Sequence, residues 1–255
     1  MSQKSTSRFG MASSSPVAVS REGELWTICM DAGENRFNPR MISALNAALD
    51  QVESCSGAAC VLFTSASPKF FSNGLDLDHI ARSELSGFVS REFEPFLARV
   101  LGFSVPTLAV INGHAFAGGF MLALACDYRV QNAHRGFCCL NELLLGMPLT
   151  PGMNALVECK LPQPALLRDA VLQARRLTAS EALARGVVDA MHAPAELRAE
   201  AVAFARPMAS HGKNRSNYAA LKAELYRQPI AALRRGTPLD RALLSSTHAV
   251  SNSKL

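Results

Sequence analysis

The stretch that most constrains the fold is Val105–Ala125, VPTLAVINGHAFAGGFMLALA. It is apolar almost throughout. Pro106, Asn112, Gly113, His114 and the Gly118-Gly119 pair break it below the ~18 continuous apolar residues of a membrane span. It is instead read as a buried strand over Thr107–Ile111, a turn over Asn112–Ala117, and a helix over Gly118–Ala125. A strand and a helix without polar faces must both lie inside a core, so the rest of the chain has to be built around them. The Gly-Gly pair also leaves the first-turn N–H groups of that helix open, at the positive end of its dipole. Such a turn can hold negative charge developing on an oxygen.

The remaining elements follow from period and punctuation. After a Ser-rich tail, Glu24–Met30 reads as a strand. Pro39 opens a helix to about Cys55, with apolar positions at Met41, Ile42, Leu45, Ala48, Leu49 and Val52. Ala58–Thr64 is a buried strand, Ser65–Gly74 a loop, Gly87–Gly102 an amphipathic helix and Tyr128–Gln131 a strand. Alternating strands and helices imply an α/β fold with parallel βαβ units. The rest is helical, over Pro151–Lys160, Gln163–Ala174, Ser180–Arg185, Ala195–Ala205 and from about Asn217. At 255 residues, 49% of them apolar and 18% charged, the chain is one large domain or one domain with an appendage. We divide it into a tail (1–16), a core (17–190), a C-terminal helical region (191–250) and a short tail (251–255).

Charge is uneven. Residues 161–255 carry 14 Lys/Arg against 7 Asp/Glu, whereas the first 160 carry 12 against 14. A solvated basic helical face is the plain reading; a rim that attracts a phosphorylated ligand is the sharper one. No segment joins dense Lys/Arg to stacking aromatics, which argues against nucleic acid as a partner. The seven cysteines form no CxxC pair and the six histidines no HExxH, so reduced thiols are expected, with no disulfide and no metal. The chain ends in Ser253-Lys254-Leu255, the form of a receptor-read peroxisomal import signal.

Two further segments carry chemistry. Lys69–Leu77, KFFSNGLDL, ends a strand with an Asn-Gly turn, and an N–H just after Gly74 could face a ligand. An ordinary strand–helix loop would look the same. A second glycine turn at Gly118, after a neighbouring parallel strand, places both at one sheet edge, where ligands bind. Glu142 is a lone carboxylate in CCLNELLLGMP. A surface glutamate is the alternative, but Leu140 before it and Leu143-Leu144-Leu145 after it favour burial, which would raise its pKa and make it a stronger base. His114 is a second candidate base, more simply a packed turn residue. Asp76 and Asp127 are expected to cap helices or tie loops, and Phe70, Phe71 and Phe116 to serve as core or pocket wall. An oxyanion hole beside one base suits proton abstraction next to a carbonyl.

PKFFSNGLDL, INGHAFAGG, CDYRV, NELLLGMPLTPGM and LTASEALARGVVD, in this order and spacing, resemble the crotonase (enoyl-CoA hydratase/isomerase) family from about Gly23 to about Asp189. ENRFNP at Glu34–Pro39 and the FFSNGLDL variant look most like its peroxisomal 3,2-enoyl-CoA isomerases. The resemblance implies a crotonase-like spiral of ββα units with a C-terminal helical trimerisation region, assembling as a homotrimer or hexamer. It implies an oxyanion hole from the N–H groups of Leu75 and Gly118, and a fatty acyl-CoA bound across Ser72, Asn73, Gly74, Leu75 and Asp76. CoA would be part of the substrate, with no other cofactor. The family's hydratases carry two water-holding glutamates. Here Met121 takes the first position and Glu142 matches the second, as in the isomerases that keep one. Asn141 is the polar neighbour where dienoyl-CoA isomerases need a second acid. The expected activity is therefore transfer of a double bond from the 3 to the 2 position in β-oxidation, in the peroxisome. The alternatives are another hydratase or dehydratase of this fold, or a non-catalytic acyl-CoA-binding subunit.

Overall fold

A computed structural model describes residues 15–82, 86–161 and 163–237. The N-terminal tail to residue 14 and the C-terminal residues from 238, with Ser253, Lys254 and Leu255, lie outside the described residues. The strands are β1 (Val17–Glu22), β2 (Leu25–Met30), β3 (Cys60–Ser65), β4 (Phe70–Ser72), β5 (Thr107–Ile111), β6 (His114–Phe116), β7 (Tyr128–Asn132), β8 (Cys138–Cys139) and β9 (Ala190–His192). The helices of the first half are α1 (Pro39–Glu53), α2 (Leu77–Arg82), α3 (Ser86–Phe88), α4 (Glu94–Leu101) and α5 (Gly118–Ala125). Those of the second are α6 (Glu142–Leu145), α7 (Pro151–Lys160), α8 (Pro164–Leu172), α9 (Ala179–Ala184), α10 (Leu197–Ala209), α11 (Arg215–Leu225) and α12 (Arg227–Arg235).

Six strands form one sheet in the order β1-β2-β3-β5-β7-β9, parallel except for the β1–β2 hairpin. The strands β4, β6 and β8 form a second, wholly parallel sheet. The chain thus repeats one turn three times: a strand in the large sheet, a short strand in the small sheet, then a helix. The three turns are β3-β4-α2, β5-β6-α5 and β7-β8-α6. This is the expected spiral of ββα units.

Local signals explain several boundaries. Asn38 caps α1 by accepting from the Met41 N–H at 3.0 Å, with Pro39 in the first turn. Thr150 caps α7 in the same way, ahead of Pro151. The helix expected over Gly87–Gly102 is not uniform, because Val89–Phe93 is wound as a π turn between α3 and α4. Pro95, in the first turn of α4, lacks an N–H and its ring would crowd the carbonyl four residues back; a widened turn relieves that contact. The expected loop 65–74 and turn 112–117 each contain a strand of the small sheet, β4 and β6. β1 and β9 were also unanticipated, and β9 crosses the boundary drawn at residue 190.

Helix α5 is buried along its whole length, as its sequence requires. Its C-terminal carbonyls accept from two cations: Arg129 Nη1 bonds Cys126 O at 3.0 Å and Lys160 Nζ bonds the same oxygen at 3.1 Å. Burial pushes the Lys160 ammonium down to about 8. The C-terminal helices fold back on their own chain. α12 packs on α7 and α4, and the almost fully buried Lys222 of α11 pairs with Asp127 at 2.8 Å. Asp127 also accepts from the Thr107 N–H at 2.9 Å, so it ties elements together as expected. No helix among the described residues is long and apolar enough to cross a membrane.

Candidate active site

The two glycine turns meet. Gly74 has φ +80, and a Cβ built there would lie 2.9 Å from Ala117 Cβ and 3.1 Å from Gly118 N. Glycine is needed at 74 for both the dihedral and the approach. Gly119 is needed for another reason, because a Cβ there would fall 2.3 Å from Ser72 O, where α5 packs on β4.

Each turn directs one N–H away from the fold. Phe37 donates to Gly74 O at 2.7 Å and accepts from the Asp76 N–H at 2.9 Å. The peptide joining Gly74 to Leu75 is trans, so its N–H points opposite to the Gly74 carbonyl and away from Phe37. As the first residue of α5, Gly118 has no helical acceptor for its own N–H. The turn that presents it is bent through Ala117, at φ 48 and ψ −123. For a residue with a Cβ, such a backbone costs ~1–3 kcal/mol and persists because its surroundings impose it. Here the Ala117 N–H is held on Cys139 O at 2.9 Å. Leu75, Ala117 and Gly118 all border one cavity of about 350 Å³.

Glu142 opens α6 and borders the same cavity. Its Oε2 is buried and, among the described residues, has no hydrogen-bond partner. Burial raises its pKa to about 7, opposed mainly by its own backbone N–H. It is the one carboxylate on the cavity wall among the described residues. Of the flanking leucines, Leu140 is buried and Leu144 and Leu145 line the cavity beside it. Leu143 and Leu144 are about half exposed, and the carboxylate is shielded because it turns into the cavity. Asn141, also on the wall, stands where asparagine usually caps a helix, yet makes no capping bond. Its Oδ1 is buried without a partner among the described residues.

Of the other expected binding residues, Asn73 and Leu75 reach the cavity. Ser72 does not. It is fully buried, and its hydroxyl donates to Asn35 O at 2.7 Å and accepts from the Gly74 N–H at 3.2 Å. Gly74 lies behind the wall and shapes it. Asp76 accepts from Asn38 Nδ2 at 3.1 Å and from the His79 N–H at 3.3 Å, and so ties α1 to α2. His114 borders the cavity but is packed against Phe116 and Phe137, and its Nδ1 accepts from the Phe137 N–H at 3.3 Å. Burial, reinforced by Lys69 and Arg176, depresses its pKa and keeps the ring neutral. Met121 forms wall one turn along α5, while Phe70 and Phe116 are wall and Phe71 is core. Residues not anticipated are the cations Arg36, Lys69 and Arg176, Phe93 from the π turn, Cys139, and Met153 of α7. Among the described residues no cluster of three or more metal-ligating side chains occurs.

The family model for enoyl-CoA hydratase/isomerase matches residues 22–254. The chain belongs to the enoyl-CoA hydratase/isomerase family. It is 35% identical over 217 residues to enoyl-CoA delta isomerase 3 of Arabidopsis thaliana, covering 82% of this chain and 91% of that one. It is 33% identical to the peroxisomal enoyl-CoA delta isomerase 2 of the same plant, over 67% of this chain and 75% of the relative. It is equally 33% identical to a carnitinyl-CoA dehydratase of Salmonella arizonae, over 76% and 75%. Among solved structures, an apo enoyl-CoA isomerase from Mycobacterium tuberculosis superposes with TM-score 0.76 at 26% identity, over 92% of this chain and 98% of that one. The cavity edged by Leu75, Gly118 and Glu142 is the candidate active site of this member of the isomerase/hydratase family.

Proposed function

We propose that the protein is a 3,2-enoyl-CoA isomerase acting through one base. Glu142 removes a proton from C2 of a 3-enoyl-CoA, and the electrons move onto the thioester oxygen. The N–H groups of Leu75 and Gly118 hold that enolate, each donor lowering the barrier by ~3–4 kcal/mol. Protonated Glu142 then delivers the proton to C4, leaving 2-trans-enoyl-CoA. Proton and electrons balance within the substrate, so the reaction calls for no redox cofactor, and CoA is part of what is bound. The observation that carries this reading is the carboxylate on the wall, the one there among the described residues, with a buried oxygen that has no partner among them and a pKa of about 7. A base poised near neutral pH can both take and return a proton.

Hydration is disfavoured because Met121, one turn into α5, can neither hold nor deprotonate water. Dehydration of a carnitinyl group is disfavoured by charge. Arg36, Lys69 and Arg176 ring the cavity and would repel a quaternary ammonium, but suit the phosphates of CoA. A binding subunit would have no use for an unpaired buried carboxylate, which costs stability. Incubation with 3-enoyl-CoA and, separately, 2-enoyl-CoA tests all of this. Isomerisation of the first with little hydration of the second is expected; hydration at a comparable rate, or binding alone, would overturn the reading.

We propose a peroxisomal location, supported by the Ser253-Lys254-Leu255 sequence and by the printed names of two relatives. A fluorescent protein fused at the N-terminus should give punctate organelles, and removal of these three residues should make it diffuse. Mass measurement in solution is expected to give a homotrimer or hexamer, and a monomer would refute that assembly.

A further inference from the structure

Asn35 is fully buried and adopts φ 51, a left-handed backbone that asparagine tolerates better than most residues. A buried amide is costly unless its donors and acceptor are matched, and here they are. Oδ1 accepts from the Ala32 N–H at 2.8 Å. Nδ2 donates to Ser65 Oγ at 2.7 Å and to Phe71 O at 3.1 Å. The Asn35 carbonyl accepts from Ser72 Oγ–H at 2.7 Å, and Ser72 Oγ accepts from the Gly74 N–H at 3.2 Å.

The residues flanking Asn35 extend this strut. Glu34 O takes the Asn73 N–H at 2.9 Å, and Phe37 bonds Gly74 O and the Asp76 N–H. The N–H groups of residues 73, 74 and 76 are therefore all committed to the fold, two directly to segment 34–37 and one through Ser72. The Leu75 N–H is left facing the cavity. Neither Asn35 nor the Ser72 side chain borders the cavity.

We propose that Asn35 and Ser72 are positioning residues that lock the Asn73–Gly74 peptide, through the Asn35 carbonyl, the Ser72 hydroxyl and the Gly74 N–H, and so fix the turn from which the next peptide, held by the Phe37 N–H on Gly74 O, aims the Leu75 N–H at the thioester oxygen before substrate arrives. This rests on the isomerase reading. A donor oriented in advance needs no reorganisation when charge forms, and losing one altogether costs about 10²–10³-fold in rate. Loosening it costs part of that.

The test uses Ser72→Ala in the full chain, with Asn35→Ala as a second variant. Turnover of 3-enoyl-CoA by Ser72→Ala should fall roughly tenfold in kcat, with KM little changed, because ground-state binding is untouched. A second readout isolates the hole. Acetoacetyl-CoA can bind as its enolate, seen by ultraviolet absorbance, whereas a saturated acyl-CoA of equal length cannot. Ser72→Ala should weaken the enolate signal by about the same factor as kcat and leave saturated acyl-CoA affinity unchanged. Asn35→Ala should do the same if it folds; Ser72→Ala decides the matter if it does not. Wild-type kcat and enolate signal in Ser72→Ala would overturn the proposal. So would an equal loss of saturated acyl-CoA affinity, which would make Ser72 merely structural. Wild-type protein that neither isomerises 3-enoyl-CoA nor binds the enolate would remove the isomerase reading, and this inference with it.

Discussion

Two glutamates, one packed in the core and one on the cavity wall, show what separates an architectural carboxylate from a chemical one. Glu94 opens α4 and is completely buried; Glu142 opens α6. Burial raises the pKa of both. Each has an Oε2 without a partner among the described residues. The rest differs. Glu94 accepts from the Thr150 hydroxyl and from the backbone N–H of Thr237, while the Met153 N–H goes to Thr150 Oγ1. A Cβ at Gly152 would come within 2.4 Å of its Oε1, so α7 is docked directly on it. Glu94 does not border the cavity, whereas Glu142 does. A raised pKa alone therefore does not identify a base. Unused valence beside space for a substrate does. The pair are also linked, since Glu94 holds Thr150, the far end of the segment that begins at Glu142.

The sharpest way to break this contrast is to neutralise each carboxylate. Glu142→Gln keeps size but cannot take a proton, and should cut isomerisation by ~10²–10⁴-fold with acyl-CoA affinity nearly intact. Retention of more than about a tenth of the rate, a barrier change below ~1.4 kcal/mol, would move the base elsewhere, with His114 next. Glu94→Ala should leave the turnover of folded protein close to wild type but lower unfolding free energy by about 2–4 kcal/mol, because the Thr150 hydroxyl and the Thr237 N–H lose their acceptor and a cavity opens beneath α7. Denaturant titration measures it. Collapse of kcat in folded Glu94→Ala would erase the distinction.

Titration sharpens the contrast further. The wild-type kcat/KM profile should fall on the acid side with an apparent pKa of about 7, as the base becomes protonated. Stability should move the opposite way from that of a salt-bridged acid. The folded pKa of about 7 exceeds the ordinary 4.5, so the folded state binds the proton more tightly. Glu142 thus stabilises the fold below pH 4.5 and loses that contribution as pH rises through 7. Glu142→Gln, uncharged throughout, should gain on the order of 1–3 kcal/mol over wild type at pH 8 and nothing at pH 4. Equal stabilities at both pH values would mean that the carboxylate is well solvated. The smallest expected effect belongs to Met121→Glu, which should bring hydration of 2-enoyl-CoA from near zero to a measurable rate, still far below isomerisation. No gain would mean that a second carboxylate at 121 cannot meet water there.

Much of this was legible in the chain. Thr107–Ile111 and Gly118–Ala125 were readable because they have no polar face and a Gly-Gly boundary. Gly74 and Gly118 announced themselves by residue type. The strands of the small sheet did not, because two or three residues carry no period and their partners are tens of residues away. Ala117 was hidden for a different reason: alanine avoids positive φ, and contacts with Gly74 and Cys139 impose it. The sequence places Ser72 and Asp76 against the ligand because their neighbours are there, but both side chains are spent on the fold, Ser72 on Asn35 O and the Gly74 N–H and Asp76 on Asn38 and the His79 N–H. Arg36, Lys69 and Arg176 share a rim only after three separate segments have folded.

The helices that close over the core have a consequence in time. Met153 belongs to α7, which rests on Glu94 and on α12, and the backbone N–H bound by Glu94 is that of Thr237. A chain halted before that point would hold the base, both glycine turns and every strand among the described residues, yet lack the brace behind its cavity wall. The site is begun by the first third of the chain, and its wall is backed only once α12, the last of the described helices, has packed on α7.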